Sequence, residues 1–424
     1  LESCGGLVLQ VFLKFRQSER LDGGLRSTLP YTMLDLADAT WVPALSQKLS
    51  EPMERLADGA VVDDDELSDA EISYTDQLFS QTTAIRVLGR LRDPRGVEPL
   101  VNVLVDAEKA DLHEDALLAL TAIGRPALPR ALSLVQTPGI EAQVGGRLLG
   151  ELGLAEGVEP LIDALNRAKN PVERAFMARA LSRLPANARS LAAFKRTYEA
   201  MPPKTSLRES FIDPLEARQA LADAARYFAD PQLVPWLLVQ GERARGTDVE
   251  RAGIRSRLFA SAIYLATPAQ LPSVKKTVTK LGSPALRVFV EEAERVMLEC
   301  REDVDCYVRG SEALGKGYLD QKTAMAVRGR CLKSMHRVAQ LGKPEHAAQL
   351  AELIGGDADP PLVLVAAQII DRLVPQGSRP LEDRLSLNFV TADGYSWSSN
   401  IALAPLEPTL YRLRIRSSAP APAP

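Results

Sequence analysis

Histidine, cysteine and aromatic residues are scarce in this 424-residue chain: three histidines, four cysteines and an aromatic fraction of 5%. So few histidines, with no HExxH and no CxxC spacing, leave no recognisable ligand set for a zinc centre. No nucleophile elbow and no paired-glycine dinucleotide fingerprint is present, so neither serine-hydrolase nor Rossmann-type chemistry is indicated. No run approaches the roughly 18 consecutive apolar residues that a membrane-crossing helix requires. The net charge is −4 with a pI near 5.7, so there is no overall excess of cations for nucleic-acid binding. No cofactor, metal or catalytic set is therefore expected.

What the chain does have is Leu, Ala and Val in quantity, within a 46% hydrophobic content. These residue types suit helices packed on helices. Two stretches say the same thing: Leu88 to Leu104 reads LGRLRDPRGVEPLVNVL, and Leu149 to Leu165 reads LGELGLAEGVEPLIDAL. Their GVEPL cores begin at Gly96 and Gly157, 61 residues apart, which is two units of roughly 30 residues. Leu88, Leu91, Val97, Leu100, Val101 and Leu104 fall at helical spacings on either side of Asp93-Pro94. Each half is therefore an amphipathic helix, with proline confined to first turns and breaks. Neither helix buries its stripe alone, and the next pair must cover it.

The same pattern places helix pairs at 76–92 with 95–105, 112–123 with 126–135, 140–152 with 157–168, and 171–184 with 188–200. It continues at 214–228 with 233–243, 249–266 with 268–281, 284–300 with 304–314, and 322–341 with 344–354, and 361–373 begins a last pair. The expected fold is an all-α superhelix of roughly nine pairs over residues 73–380. Residues 1–72 hold capping helices and the acidic loop Asp58 to Glu71. Residues 381–416 alternate like a small three-stranded β appendage with an Asp393-Gly394 turn, and 417–424 is an Ala/Pro tail.

The chain resembles the HEAT-repeat family, in particular the short bacterial, phycobilin-lyase-like type. The resemblance rests on the two stretches above and, more weakly, on YFADPQLVPWLL from Tyr227 to Leu238. It implies a stacked-helix scaffold that engages a protein or peptide partner on its concave side, and it carries no catalytic residue with it. A lyase- or chaperone-like enzyme is the alternative, and a nucleic-acid-binding member is a third.

Several residues stand out for closer reading. Cys300 and Cys306 flank a short turn, where they are either a disulfide or two reduced thiols. The stretch CREDVDCY also looks like turns in HEAT proteins exported to bacterial envelopes, and a disulfide would imply a compartment such as the periplasm. A metal site with Cys331 lacks the spacing, and Cys331 reads as a core thiol. Cys4-Gly5-Gly6 is similar to the start of a mature bacterial lipoprotein, although Glu2 fits that signal poorly, so Cys4 is either a lipidation site or incidental. Gly310 to Gly317 (GSEALGKG) nearly matches a phosphate loop but ends in Gly317 where the hydroxyl belongs. Arg330, Lys333 and Arg337 share one helix face. With Lys275, Lys276 and Lys280 they either form a basic patch for an acidic partner or are two solvated faces. Trp236 is either an interface anchor or core. His113, His336 and His346 read as surface or interface residues. The expected contact surface is an inner row made by the second helix of each pair.

Overall fold

The computed structural model describes residues 4–14, 23–53, 69–202, 205–207, 215–244, 249–281, 283–315, 321–354, 360–373, 385–390, 396–400 and 411–415. Three helices come first: α1 (Cys4–Lys14), α2 (Gly23–Leu36) and α3 (Val42–Leu49). The repeats follow as α4 (Asp69–Leu91), α5 (Val97–Val105), α6 (His113–Ile123), α7 (Leu128–Gln136), α8 (Ile140–Leu152) and α9 (Val158–Arg167). Then come α10 (Pro171–Arg183), α11 (Ala188–Ala200), α12 (Ala217–Ala224), α13 (Val234–Arg243), α14 (Val249–Leu265) and α15 (Leu271–Leu281). The series closes with α16 (Pro284–Cys300), α17 (Val304–Gly310), α18 (Gln321–Leu341), α19 (Pro344–Leu353) and α20 (Pro360–Leu373). From α4 onward the helices alternate as first and second members of a pair, and α20 opens one more.

The chain divides into two compact units, Leu1–Leu148 and Leu149–Pro424, and the division falls inside α8. The pairs lie where the hydrophobic periodicity puts them, within a few residues. One clear difference is α4, which begins at Asp69 rather than near 76 and so absorbs the end of the acidic segment. The rest of that segment, to residue 68, lies outside the described residues.

The turns explain themselves chemically. Asp93 Oδ1 accepts from the Arg95 amide at 2.9 Å, and Asp230 Oδ1 accepts from the Gln232 amide at 2.8 Å. In both, proline follows at the first position of a short 3₁₀ turn. An aspartate that caps orphan amides, followed by a residue with no amide to satisfy, stops one helix and starts the next.

Successive first helices approach closely through glycine. A Cβ on Gly89 of α4 would stand 2.9 Å from Ala119 Cα of α6. One on Gly150 of α8 would stand 2.9 Å from Ala180 Cα of α10. The two contacts are 61 residues apart, so the period of the sequence is also the period of the packing. Arginine–carboxylate rungs join the same helices: Arg86 to Asp115 at 3.0 Å, Arg147 to Glu114 at 2.6 Å, Arg183 to Glu151, Arg257 to Asp223, and Arg330 to Glu299 at 2.7 Å. Each links a first helix to the next first helix. The more exposed rungs, Arg147–Glu114 and Arg330–Glu299, contribute at most about 1 kcal/mol apiece, so burial of leucine and alanine carries the stack.

Within the second unit the first helices do more than meet their neighbours, because α14 also packs on α18, skipping α16.

Short strands complete the description. β1 (Ser206–Leu207) pairs antiparallel with β2 (Leu215–Glu216). β3 (Leu385–Val390), β4 (Ser396–Asn400) and β5 (Tyr411–Ile415) form an antiparallel sheet in the order β4-β3-β5.

Candidate functional site

The basic helix α18 was expected to present cations to a partner. Instead, two of its cations point inward. Lys333 has no exposed surface, and its Nζ donates to the carbonyls of Ile263 (3.1 Å), Tyr264 (3.0 Å) and Ala266 (2.5 Å). Gln340 Nε2 donates to the remaining carbonyl of that turn, Leu265, at 2.9 Å. These are the carbonyls that the end of α14 leaves without helical partners, and together they form the negative end of its dipole. Burial and the Arg337 guanidinium push the Lys333 pKa well below the lysine range. The three carbonyls oppose that shift, since an ammonium has a proton for each of them.

Arg337 is 5% exposed, lies 5.6 Å from the ring centroid of Tyr307 and donates to Gln340 Oε1 at 2.7 Å. Tyr307 in turn donates its hydroxyl to the Arg301 carbonyl at 2.7 Å. Arg330, the remaining member of the face, is half-buried in its rung with Glu299. The projected surface patch on α18 is therefore corrected. With α14, α16, α17 and α20 all packed on it, this helix has almost no free side.

His336 is 2% exposed, which corrects the surface reading of that histidine. Its ring stacks on Tyr264, with centroids 5.3 Å apart and planes 14° apart. Burial, reinforced by Arg226, Lys333 and Arg372, holds its pKa well below the usual value. Burial raises the Tyr264 hydroxyl, with Arg226 opposing. His346 is also nearly buried, at 9%, and its Nδ1 accepts from the Lys343 amide at 2.9 Å at the start of α19. His113 is half-buried, 2.8 Å from the Asp106 carbonyl.

The outer lysines behave differently. Lys275 of α15 pairs with Glu294 of α16 at 2.6 Å, whereas Lys276 and Lys280 are exposed. With Pro272, Thr279 and Glu294 they line an open groove of about 460 Å³. The α15 lysines and the α18 cations thus do not merge into one patch. Trp236 is half-buried, donating Nε1 to Glu199 at 2.8 Å and meeting Tyr198 and Phe194 edge-on, so it ties α13 to α11.

Cys300 and Cys306 are bonded to each other, with Cα atoms 5.3 Å apart, joining the end of α16 to the first turn of α17. Glu299 lies beside both sulfurs, but sulfurs joined to each other offer no thiolate to a metal. Cys331 is buried and outside any disulfide, as its position in the apolar stripe indicated. Gly310 ends α17, a 3₁₀ turn occupies Glu312–Gly315, and the rest of the near-match to a phosphate loop lies outside the described residues. Cys4 is the first residue of α1.

Three features had no signal in the sequence. Arg372 of α20 donates to the Tyr227 carbonyl at 2.7 Å, across 145 residues. Arg257 bonds Asp223, and Ser261 Oγ donates to the Ala222 carbonyl at 2.8 Å. A fourth is legible in the helical spacing: Leu298, 73% exposed, falls off the buried stripe of Ala293, Val296, Met297 and Cys300 on α16.

Stacked helical hairpins, knit by glycine contacts and charge rungs between consecutive repeats, define an all-α helical-repeat protein. Residues 81–106, the second half of α4 with α5, match the family model described as PBS lyase HEAT-like repeat, so the repeat is HEAT-like. No curated protein matches the chain. Among the described residues, no helix is long and apolar enough to cross a membrane.

Proposed function

We propose that this chain is a non-catalytic scaffold that holds a protein or peptide partner on exposed faces of its HEAT-like stack. The observation that carries the reading is the bonding of Lys333. General acid–base chemistry needs an ionisable group within hydrogen-bond reach of a reacting atom. Lys333, a fully buried ionisable side chain of the second unit, is committed to three helix-end carbonyls. Exposed groups that can meet a partner include Lys276 and Lys280 of α15. An oxidising compartment such as the periplasm belongs to the same reading, supported by the Cys300–Cys306 bond.

The test is crosslinking and affinity capture of the full chain in its native host, with and without reductant. Recovery of a defined protein at near-equal stoichiometry is the expected result. A small-molecule cofactor retained by the purified chain, or turnover of a bound protein, would instead favour the lyase-like alternative. Two free thiols at Cys300 and Cys306 in freshly isolated protein would remove the argument for the compartment.

A further inference from the structure

We infer that the groove between α15 and α16 is the docking site for an acidic peptide segment with an apolar anchor residue, contributed by a separate protein. This rests on the scaffold reading and names the chemistry of the partner.

The argument starts from charge. Of the three lysines lining the groove, Lys275 is neutralised by Glu294 at 2.6 Å. Lys276 and Lys280 stand exposed one helical turn apart on α15. At i and i+4 their amines project from the same face, a spacing that suits two carboxylates on one short segment. A like-charged pair held this close on a helix is slightly unfavourable by itself, and an incoming carboxylate relieves it. Lys275 can exchange its intramolecular partner for a second carboxylate at little net cost, because the pair is close to half exposed on both sides.

The second part is apolar. Leu298 lies one turn beyond Glu294 on α16, at i and i+4, and is 73% exposed, the most exposed of the large hydrophobic residues described. Because α15 and α16 run antiparallel as consecutive helices, this end of α16 faces the start of α15, where Pro272 lines the groove. The groove's own lining runs from Pro272 to the cationic end at Lys276 and Lys280, and Leu298, outside that lining, offers an apolar contact one turn beyond Glu294. A bare polyanion would use the cationic end only. An acidic segment carrying a leucine-type side chain uses both, and its apolar contact supplies affinity that salt does not screen.

The test uses the 424-residue chain and a fluorescein-labelled peptide of about five Glu-Glu-Leu repeats, read by anisotropy. A Lys-Lys-Leu peptide, phosphatidylserine vesicles and duplex DNA serve as competitors. Saturable binding of the acidic peptide is expected, weakened at least about tenfold by K276E/K280E and about threefold by L298S. Both variants change exposed side chains, so unaltered helical circular dichroism and melting should accompany the loss.

Binding by K276E/K280E within twofold of the wild type, or no saturable binding at all, overturns the groove assignment. An unaffected L298S overturns the anchor. Tighter binding of vesicles or DNA through the same lysines overturns the choice of a peptide partner. The scaffold reading fails separately. If the wild-type chain crosslinks no partner in its host, that reading falls; if K276E/K280E captures the same partner as the wild type, the scaffold stands and the groove does not.

Discussion

The imidazole of His336 lies flat on the phenol ring of Tyr264, 5.3 Å between centroids, and is sealed from solvent. Burial, Arg226, Lys333 and Arg372 all disfavour its protonation, so the folded-state pKa is depressed. The unfolded chain takes up a proton near pH 6.5. Below that pH the unfolded state binds more protons, so stability falls as pH falls, by at most about 1.4 kcal/mol per pH unit from this residue. Urea midpoints measured between pH 7.5 and 5.5 should show this slope, and His336→Phe, which keeps the stack, should flatten it. Equal slopes in the two proteins would contradict the account.

Lys333→Met removes an amine from three buried carbonyls while keeping much of its volume. Each stranded carbonyl costs about 1–3 kcal/mol, so the variant should lose at least about 3 kcal/mol in denaturant unfolding. Lys280→Met, on the exposed face of α15, should change stability by less than about 0.5 kcal/mol. The contrast separates a helix-end staple from a surface lysine, although both belong to basic helices.

Glycine-to-alanine changes should split by position. In an exposed helix the change gains up to about 1 kcal/mol. At Gly253, where a new Cβ would meet only the end of the Gln219 side chain at 3.3 Å, a gain is expected. At Gly89 and Gly150 the new carbon would enter the backbone of the neighbouring helix, and a loss of about 1–3 kcal/mol is expected. Thermal melts of the three variants decide the matter; a gain at Gly150 would mean that the repeats pack less closely than described.

Opening the Cys300–Cys306 bond releases a loop of about seven residues, worth on the order of 2.4 kcal/mol by chain entropy. C300S/C306S and the wild type in reductant should therefore melt at the same lowered temperature. A reductant effect that persists in the double variant would point elsewhere, because Cys331 is buried and makes no disulfide.

The pairs, their turns and their 61-residue double period were all present in the one-dimensional pattern. Helical spacing of Leu and Val, Asp-Pro and Asn-Pro steps, and glycine within helices are local chemistry, and local chemistry is written in order along the chain. The Cys300–Cys306 bond was legible as one of two alternatives for the same reason, because only five residues separate the two cysteines.

Orientation around the long basic helix was not local. Arg330, Lys333 and Arg337 read as one solvent-facing stripe because charge ordinarily stays in water. What reversed this for Lys333 was the end of α14, some 70 residues earlier in the chain, whose four unpaired carbonyls have no water to turn to. Only the packing of α14 onto α18 creates that demand, and a contact between helices so far apart in the chain is not written in any single repeat. The amino-acid order determined which segments are helices and where each one stops. Tertiary packing decided which cations became internal staples and which, on α15, were left facing outward.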